Sequence, residues 1–355
     1  MATLPHDNNI DTRILAQIFN NTVATYKFYW FVSILDLVVK DGKRKISFWE
    51  IIIGIIAEAW YPIHYFRISF GKSDSLYDQI IKIQALLDIP IDVDKEVLKR
   101  KIIANIENTE VKSLLRVFAL NVPYRFLSPW INYTIDNEVV ERSKRFENNC
   151  LYAINGESVE INPIWISYLN EHYLIMRDFT FWNLTLFLQK RNPNVPDLSS
   201  KLIKPIQRNS LIKQRNFWDQ YIDIKGTIEC IYTAKRLIKR EYDLDHFVPW
   251  SFVSHNLLWN LLPADGGINS SKSNNIPELS LYLKPFARIH KSAIETIYNV
   301  NPSNKLLEDY LTLYYSIPDF VHLSDEEFYD IFKNTISPLV QIAENMGFKY
   351  WRCKT

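Results

Sequence analysis

Glycine is scarce in this chain, with eight residues in 355. A turn-dense all-β protein needs more glycine than that, so helices are expected to dominate. Cysteine is scarcer still: Cys150, Cys230 and Cys353 are widely spaced and odd in number. They exclude a disulfide framework and a four-cysteine zinc cage, and they suit a reducing cytosol. Long apolar runs are missing too. The most apolar windows, 31–39 and 51–57, fall far short of the ~20 residues that a membrane span needs, and Asp36, Glu50 and Glu58 lie within or beside them. The opening MATLPHDNNIDTR has no basic segment leading into an apolar one, so no secretory signal is expected and the place is cytoplasmic. Nor does one sign of charge prevail. Lys and Arg number 41 against 40 Asp and Glu, and a net charge of +1 says nothing about a polyanionic partner.

What is present is apolar bulk and a local charge excess. Residues of hydrophobic type make up 47% of the chain and ten are Trp, enough to build real cores over two or three domains. Between Lys201 and Arg240 ten basic residues face three acids, Asp219, Asp223 and Glu229, a local excess of +7. Such a stretch is either a phosphate-binding approach or the solvated surface of ordinary helices.

Residues 10 to about 200 read as helices. The segment from Ile14 to Val39 spaces its apolar residues by three and four without strand-like alternation. A helix over 47–60 is announced by Ser47 with Glu50 three residues on, a capping box, and Pro62 limits its extension. Further amphipathic helices are expected over 94–106 and 110–120, with connectors near 121–129 and 192–196. No internal repeat or low-complexity tract is visible. Near residue 226 the pattern changes. Residues 226–232 and 241–247 alternate like the two strands of a short hairpin, Pro249 ends the second, and a helix opens near Asn269. From about Pro285 the chain is helical again, including 325–334 and 338–346. The fold class is therefore α+β, mostly α, divided as a helical domain over 1–200, a central module over 201–285, and a helical region over 286–355 packing on the core.

The chemistry is concentrated in three pieces: YDLDHFVPWSFV from Tyr242, LWNLLP from Leu258, and INSSKSNNIP from Ile268. Hydrolysing a phosphodiester requires a cation to offset charge on the pentacovalent phosphate and a base to take a proton from water. A hard ion such as Mg²⁺ takes oxygen ligands. Asp245 at a strand end offers a carboxylate oxygen, and Asn269 at a helix start an amide oxygen. His246, next to Asp245, points to the opposite strand face and is free of metal-binding duty.

This segment resembles an HNH (ββα-metal) nuclease domain, in pattern similar to that of the CRISPR effector nucleases. From His246 it is 14 residues to Asn260, 23 to Asn269, 26 to Lys272 and 31 to Pro277, and the first three intervals agree with that family. The resemblance covers about 225–280. It implies Asp245 and Asn269 as metal ligands, His246 as general base, Asn260 as the residue ordering the histidine loop, and Lys272 near the scissile phosphate. It also implies Mg²⁺ or Mn²⁺ as cofactor and DNA as substrate, cut to leave 5′-phosphate and 3′-hydroxyl ends. One departure stands out. The paired CxxC motifs of many HNH domains are absent, since Cys230 is followed by Ile231, Tyr232 and Thr233. No zinc is expected, and Cys230 reads as a buried apolar residue. The flanks resemble bacterial stand-alone HNH proteins of restriction or phage defence, so expected partners are DNA, a second copy of the chain or a defence-system protein, and no membrane. A nucleic-acid-binding scaffold without cleavage, and an RNA-directed or non-specific nuclease, are the competing readings.

Two readings stay open for Asp243, a weak ligand beside Asp245 or a solvated strand residue, and for His255, chemistry or surface polarity. His64, His172, His290 and His322 read as structural. Trp250, Phe252 and Trp259 read as a small core under the site, and the aromatic run 26–31 as helical core.

Overall fold

The computed structural model describes residues 4–132, 135–203 and 210–353. The chain forms two compact units. The first is Met1–Pro193 with Leu198–Lys204, and the second is Asn194–Asp197 with Pro205–Thr355. Both are mostly helical with small sheets, an α+β fold.

In the first unit the helices Tyr26–Val39 and Phe48–His64 pack face to face. Trp30, Ile34 and Leu35 of one and Ile51, Ile55 and Ala59 of the other are buried. Their approach is close at Gly54, where an added Cβ would lie 2.7 Å from Ser33 Oγ. Ser47 caps the second helix with the full box of Glu50, as the sequence predicts, and the helix runs through Pro62 to His64. The stretch from Ile14 is not one helix, because the chain turns between Leu15 and Tyr26. The all-helical reading also misses a sheet ordered β1 (Lys45–Ser47), β3 (Ser158–Ile161), β2 (Tyr152–Asn155). The two-residue turn Gly156-Glu157 between the paired Asn155 and Ser158, with Gly156 first at φ 59°, is the hairpin signal that betrays it.

The second unit has one apolar core, shared by the central module and residues 286–355. The long helix Leu279–Val300 packs against Asp325–Asn345 and Ile212–Lys225. The former is continuous through Pro338, not two helices. The expected hairpin pairing is also corrected. Strands β4 (Ile228–Glu229) and β5 (Arg236–Leu237) pair with each other, whereas β6 (Asp243–His246) pairs antiparallel with β7 (Leu261–Ala264). Residues 226–232 share the period of β6, but β4 finds a nearer partner in β5 after a connection of six residues, 230–235. Pro263, which lacks an N–H, sits opposite Leu244, and a two-stranded sheet tolerates it at an edge. The helix after β7 is Gly266–Lys272, capped by Asp265, so it opens three residues before Asn269. Finally β8 (Ile276–Pro277) pairs in parallel with β9 (Tyr350–Trp351), which ties the end of the chain to the module.

Candidate active site

The β6–β7 pair and the helix Gly266–Lys272 make a ββα unit, with β6 carrying Asp245 and His246. Directly after them Phe247 stacks on Phe286 with centroids 4.0 Å apart. This anchors the strand end in the core of the unit, so the side chains before it are held by packing. Asn260 closes the same corner. It is fully buried, its Oδ1 accepts from Val248 N at 2.8 Å, and its Nδ2 donates to Val248 O at 2.9 Å. Phe247 N donates to the Asn260 carbonyl at 2.8 Å. Two buried backbone groups of the turn after His246 are thereby satisfied by one amide.

His246 is half-buried. Its Nε2 lies 2.9 Å from Asn256 Oδ1. An amide oxygen only accepts, so Nε2 carries the hydrogen in this contact. Asn256 sits in an irregular loop that is itself fastened: Asp309 Oδ2 accepts from Leu258 N at 2.7 Å. The histidine is thus oriented from a loop that the C-terminal part of the unit holds. Neither Asn256 nor Asp309 carries a local sequence signal.

Asp245 is 3% exposed and makes two hydrogen bonds, from Lys272 Nζ at 3.0 Å and from the Tyr232 hydroxyl at 2.7 Å. Burial pushes its carboxyl above the ordinary range, and Lys272 and Tyr232 pull it back in part. Burial and the Asp245 charge raise the Tyr232 hydroxyl well above its usual range, so it remains a donor. Its ring is fixed edge-on by Tyr282 and Trp351, 5.0 and 5.3 Å away. Lys272 lies under the sheet. It is fully buried, and besides Asp245 it donates to the His246 carbonyl at 2.6 Å. Its ammonium joins the two β6 residues instead of facing outward, because the helix turns this side chain onto the sheet.

Asn269 lies in the second turn's beginning of that helix, half-buried. Asp243 is exposed and leans over Gly266, where an added Cβ would lie 3.0 Å from its Oδ2. His255 accepts from Leu257 N and packs on Trp259. Phe252 and Trp259 are buried. Cys230 is buried as well. The basic stretch is partly diverted: Lys201 is buried in the first unit with its Nζ 5.8 Å from the Phe66 ring centroid, Lys239 pairs with Asp223, and Lys235 with Asp265. Lys204 and Arg208 lie outside the described residues. No helix is long and apolar enough to cross a membrane among those described. Among them, too, no cluster of three or more His, Cys, Asp or Glu is placed to hold a metal ion.

Asp245 and His246 stand at the end of the first strand of a strand-strand-helix unit. Residues 230–278 match the HNH endonuclease family, and the chain carries an HNH endonuclease domain there. Such a domain supports nuclease activity, and HNH nucleases depend on divalent metal. Comparison with curated proteins and with solved structures gave no match.

Proposed function

We propose that the second unit is a Mg²⁺- or Mn²⁺-dependent DNA endonuclease whose general base is His246. The observation that carries this is the match of residues 230–278 to the HNH endonuclease family, in which His246 stands beside Asp245 on β6 with its Nε2 2.9 Å from Asn256 Oδ1. Nδ1 takes a proton as the water oxygen bonds to phosphorus. The phosphorus–O3′ bond breaks, and the departing oxygen takes a proton from solvent water, leaving 5′-phosphate and 3′-hydroxyl ends. Asn260 keeps the turn after His246 in register, and Lys272 ties the His246 carbonyl to Asp245. Both are positioning residues in this reading.

The donor set suits a hard divalent ion. Asp245 retains lone pairs beyond its two hydrogen bonds, and the Asn269 amide adds a second oxygen of the same kind. When bound there, the ion supplies charge neutralisation at the phosphate. The buried ammonium of Lys272 already offsets part of the Asp245 charge, so affinity for the ion is expected to be modest. Bacterial restriction or phage defence is the setting that the flanks' resemblance suggests, with a second copy or a defence-system protein as partner in the cytoplasm.

The test is a substrate panel with the full chain: supercoiled plasmid, single-stranded DNA and RNA, each with Mg²⁺, Mn²⁺ or EDTA. Nicked or linear plasmid with metal and none with EDTA is expected. Preferred cleavage of RNA overturns the assignment of DNA. DNA bound but uncut with every metal overturns hydrolysis and leaves a binding scaffold.

A further inference from the structure

The helix Tyr173–Gln189 of the first unit is apolar on two opposite faces. On one, Met176, Thr180, Phe181, Leu184 and Leu188 are buried, and the helix packs on Tyr26–Val39. The outer face carries Ile175, Phe179, Trp182 and Leu186, whose spacing of four, three and four is that of a two-helix seam. Ile175, Trp182 and Leu186 are 48%, 61% and 47% exposed, and Leu174 beside them is 70% exposed. Phe179 is half-buried, its ring backed by that of Phe19 at 5.5 Å. A helix apolar all round is ordinarily covered on every side, and a contiguous exposed apolar patch marks an interaction site.

The charges at its ends fit a second copy of the same helix. Glu171 and Lys190 are exposed, one before the seam and one after it, and neither makes an ion pair among the described residues. Turning the helix end for end about the point between Thr180 and Phe181 brings Glu171 opposite Lys190, Ile175 opposite Leu186 and Phe179 opposite Trp182. Asp178, at the edge of the seam, comes opposite Asn183. The Asn183 Nδ2 keeps one hydrogen beyond its bond to Phe179 O at 2.8 Å. Apolar residues meet apolar ones and unlike charges meet, as a self-complementary two-fold interface requires. A parallel pairing would instead set Glu171 against Glu171 and Asp178 against Asp178. A lipid surface draws Lys and Arg along the edges of such a face, whereas Glu171 and Asp178 stand there.

We propose that two copies of the chain pair through this helix, antiparallel about a two-fold axis between Thr180 and Phe181. This is a surface for the second copy suggested above, and it does not rest on the nuclease reading of the other unit.

The experiment is sedimentation velocity of the full chain in EDTA without nucleic acid, from about 1 to 200 μM. A concentration-dependent shift from one chain to two is expected, and no larger particle, because a two-fold face closes on itself. One pair of 17-residue helices covers less than the ~800 Å² per partner of a standard interface, so half-dissociation is expected in the micromolar range. Trp182→Glu is expected to weaken pairing by about 30-fold or more, the loss of a central tryptophan. That side chain is largely exposed, so the variant should keep the thermal midpoint of the wild type. Lys190→Glu should weaken pairing about tenfold, since symmetry repeats each contact, and adding Glu171→Lys should restore it to within about threefold. A chain that stays single throughout overturns the proposal, and one that also floats with phosphatidylserine vesicles assigns the face to lipid. Wild-type pairing in a folded Trp182→Glu chain overturns it too. So do growth beyond two chains and a reversed pair of charges that fails to recover.

Discussion

Replacing Lys272 by Met removes the cation from a carboxylate that has almost no access to water. Lys272 is fully buried and Asp245 is 3% exposed, 3.0 Å from it. Breaking such a pair by deleting one partner costs about 3–5 kcal/mol, because the remaining charge is left uncompensated. The His246 carbonyl also loses its donor at 2.6 Å, and these losses overlap because one ammonium serves both. Each 1.4 kcal/mol is a factor of ten, so amide hydrogen exchange in β6 should accelerate by roughly 100-fold or more. The effect should depend on pH. Burial raises the Asp245 carboxyl in the folded state above its unfolded value, and more so once Lys272 is gone. Folding then favours the protonated acid, so the penalty is largest at neutral pH and shrinks as acid neutralises the group. Asp245→Asn combined with Lys272→Met should recover part of the loss, since no lone charge remains. The measurement is hydrogen exchange of β6 amides at pH 5 and 7 in the single and double variants. A single variant within about 1 kcal/mol of wild type at both pH values refutes the reasoning about this pair.

Asn260→Ala strips the partners from Val248 N and O, at roughly 1–3 kcal/mol for each buried group left unsatisfied; exchange at the Val248 amide should rise and cleavage should fall with it. Asn256→Ala leaves the His246 ring without its Nε2 partner, and misorientation of a base on the scale of 1 Å costs about 100-fold; the drop should appear in kcat more than in KM. His290, buried against Tyr310, has its pKa lowered to about 3 by burial. Its folded pKa is below the unfolded one, so the unfolded chain gains a proton first and stability falls as pH drops from about 6.5, by about 2 kcal/mol at pH 5. Urea unfolding of wild type and His290→Gln across that range should show the slope in the first and its loss in the second.

The HNH segment was legible because its register is local. Asp245, His246, Asn260 and Asn269 follow one another within 25 residues, and the strand-turn-strand-helix order constrains their spacing. The capping box at Ser47 was legible for the same reason. What stayed hidden depends on contacts distant in sequence. The resemblance sets Lys272 near the scissile phosphate, and only the packing of its helix on β6 shows its ammonium turned inward onto Asp245. Tyr232 reaches Asp245 because Tyr282 and Trp351 hold its ring, residues 50 and 119 positions away. The partner of β6 was misjudged because Leu261–Ala264 is a continuous apolar run containing Pro263, which lacks the alternation that marks a half-exposed strand.

The central claim is that His246 draws the proton from water. The most direct measurement is single-turnover cleavage of supercoiled plasmid with Mg²⁺ by wild type and by His246→Ala, with DNA binding measured on the same preparations. A general base contributes about 100- to 10,000-fold. The account expects a loss of that size in His246→Ala with DNA binding retained. Equal cleavage rates for the two proteins would contradict it.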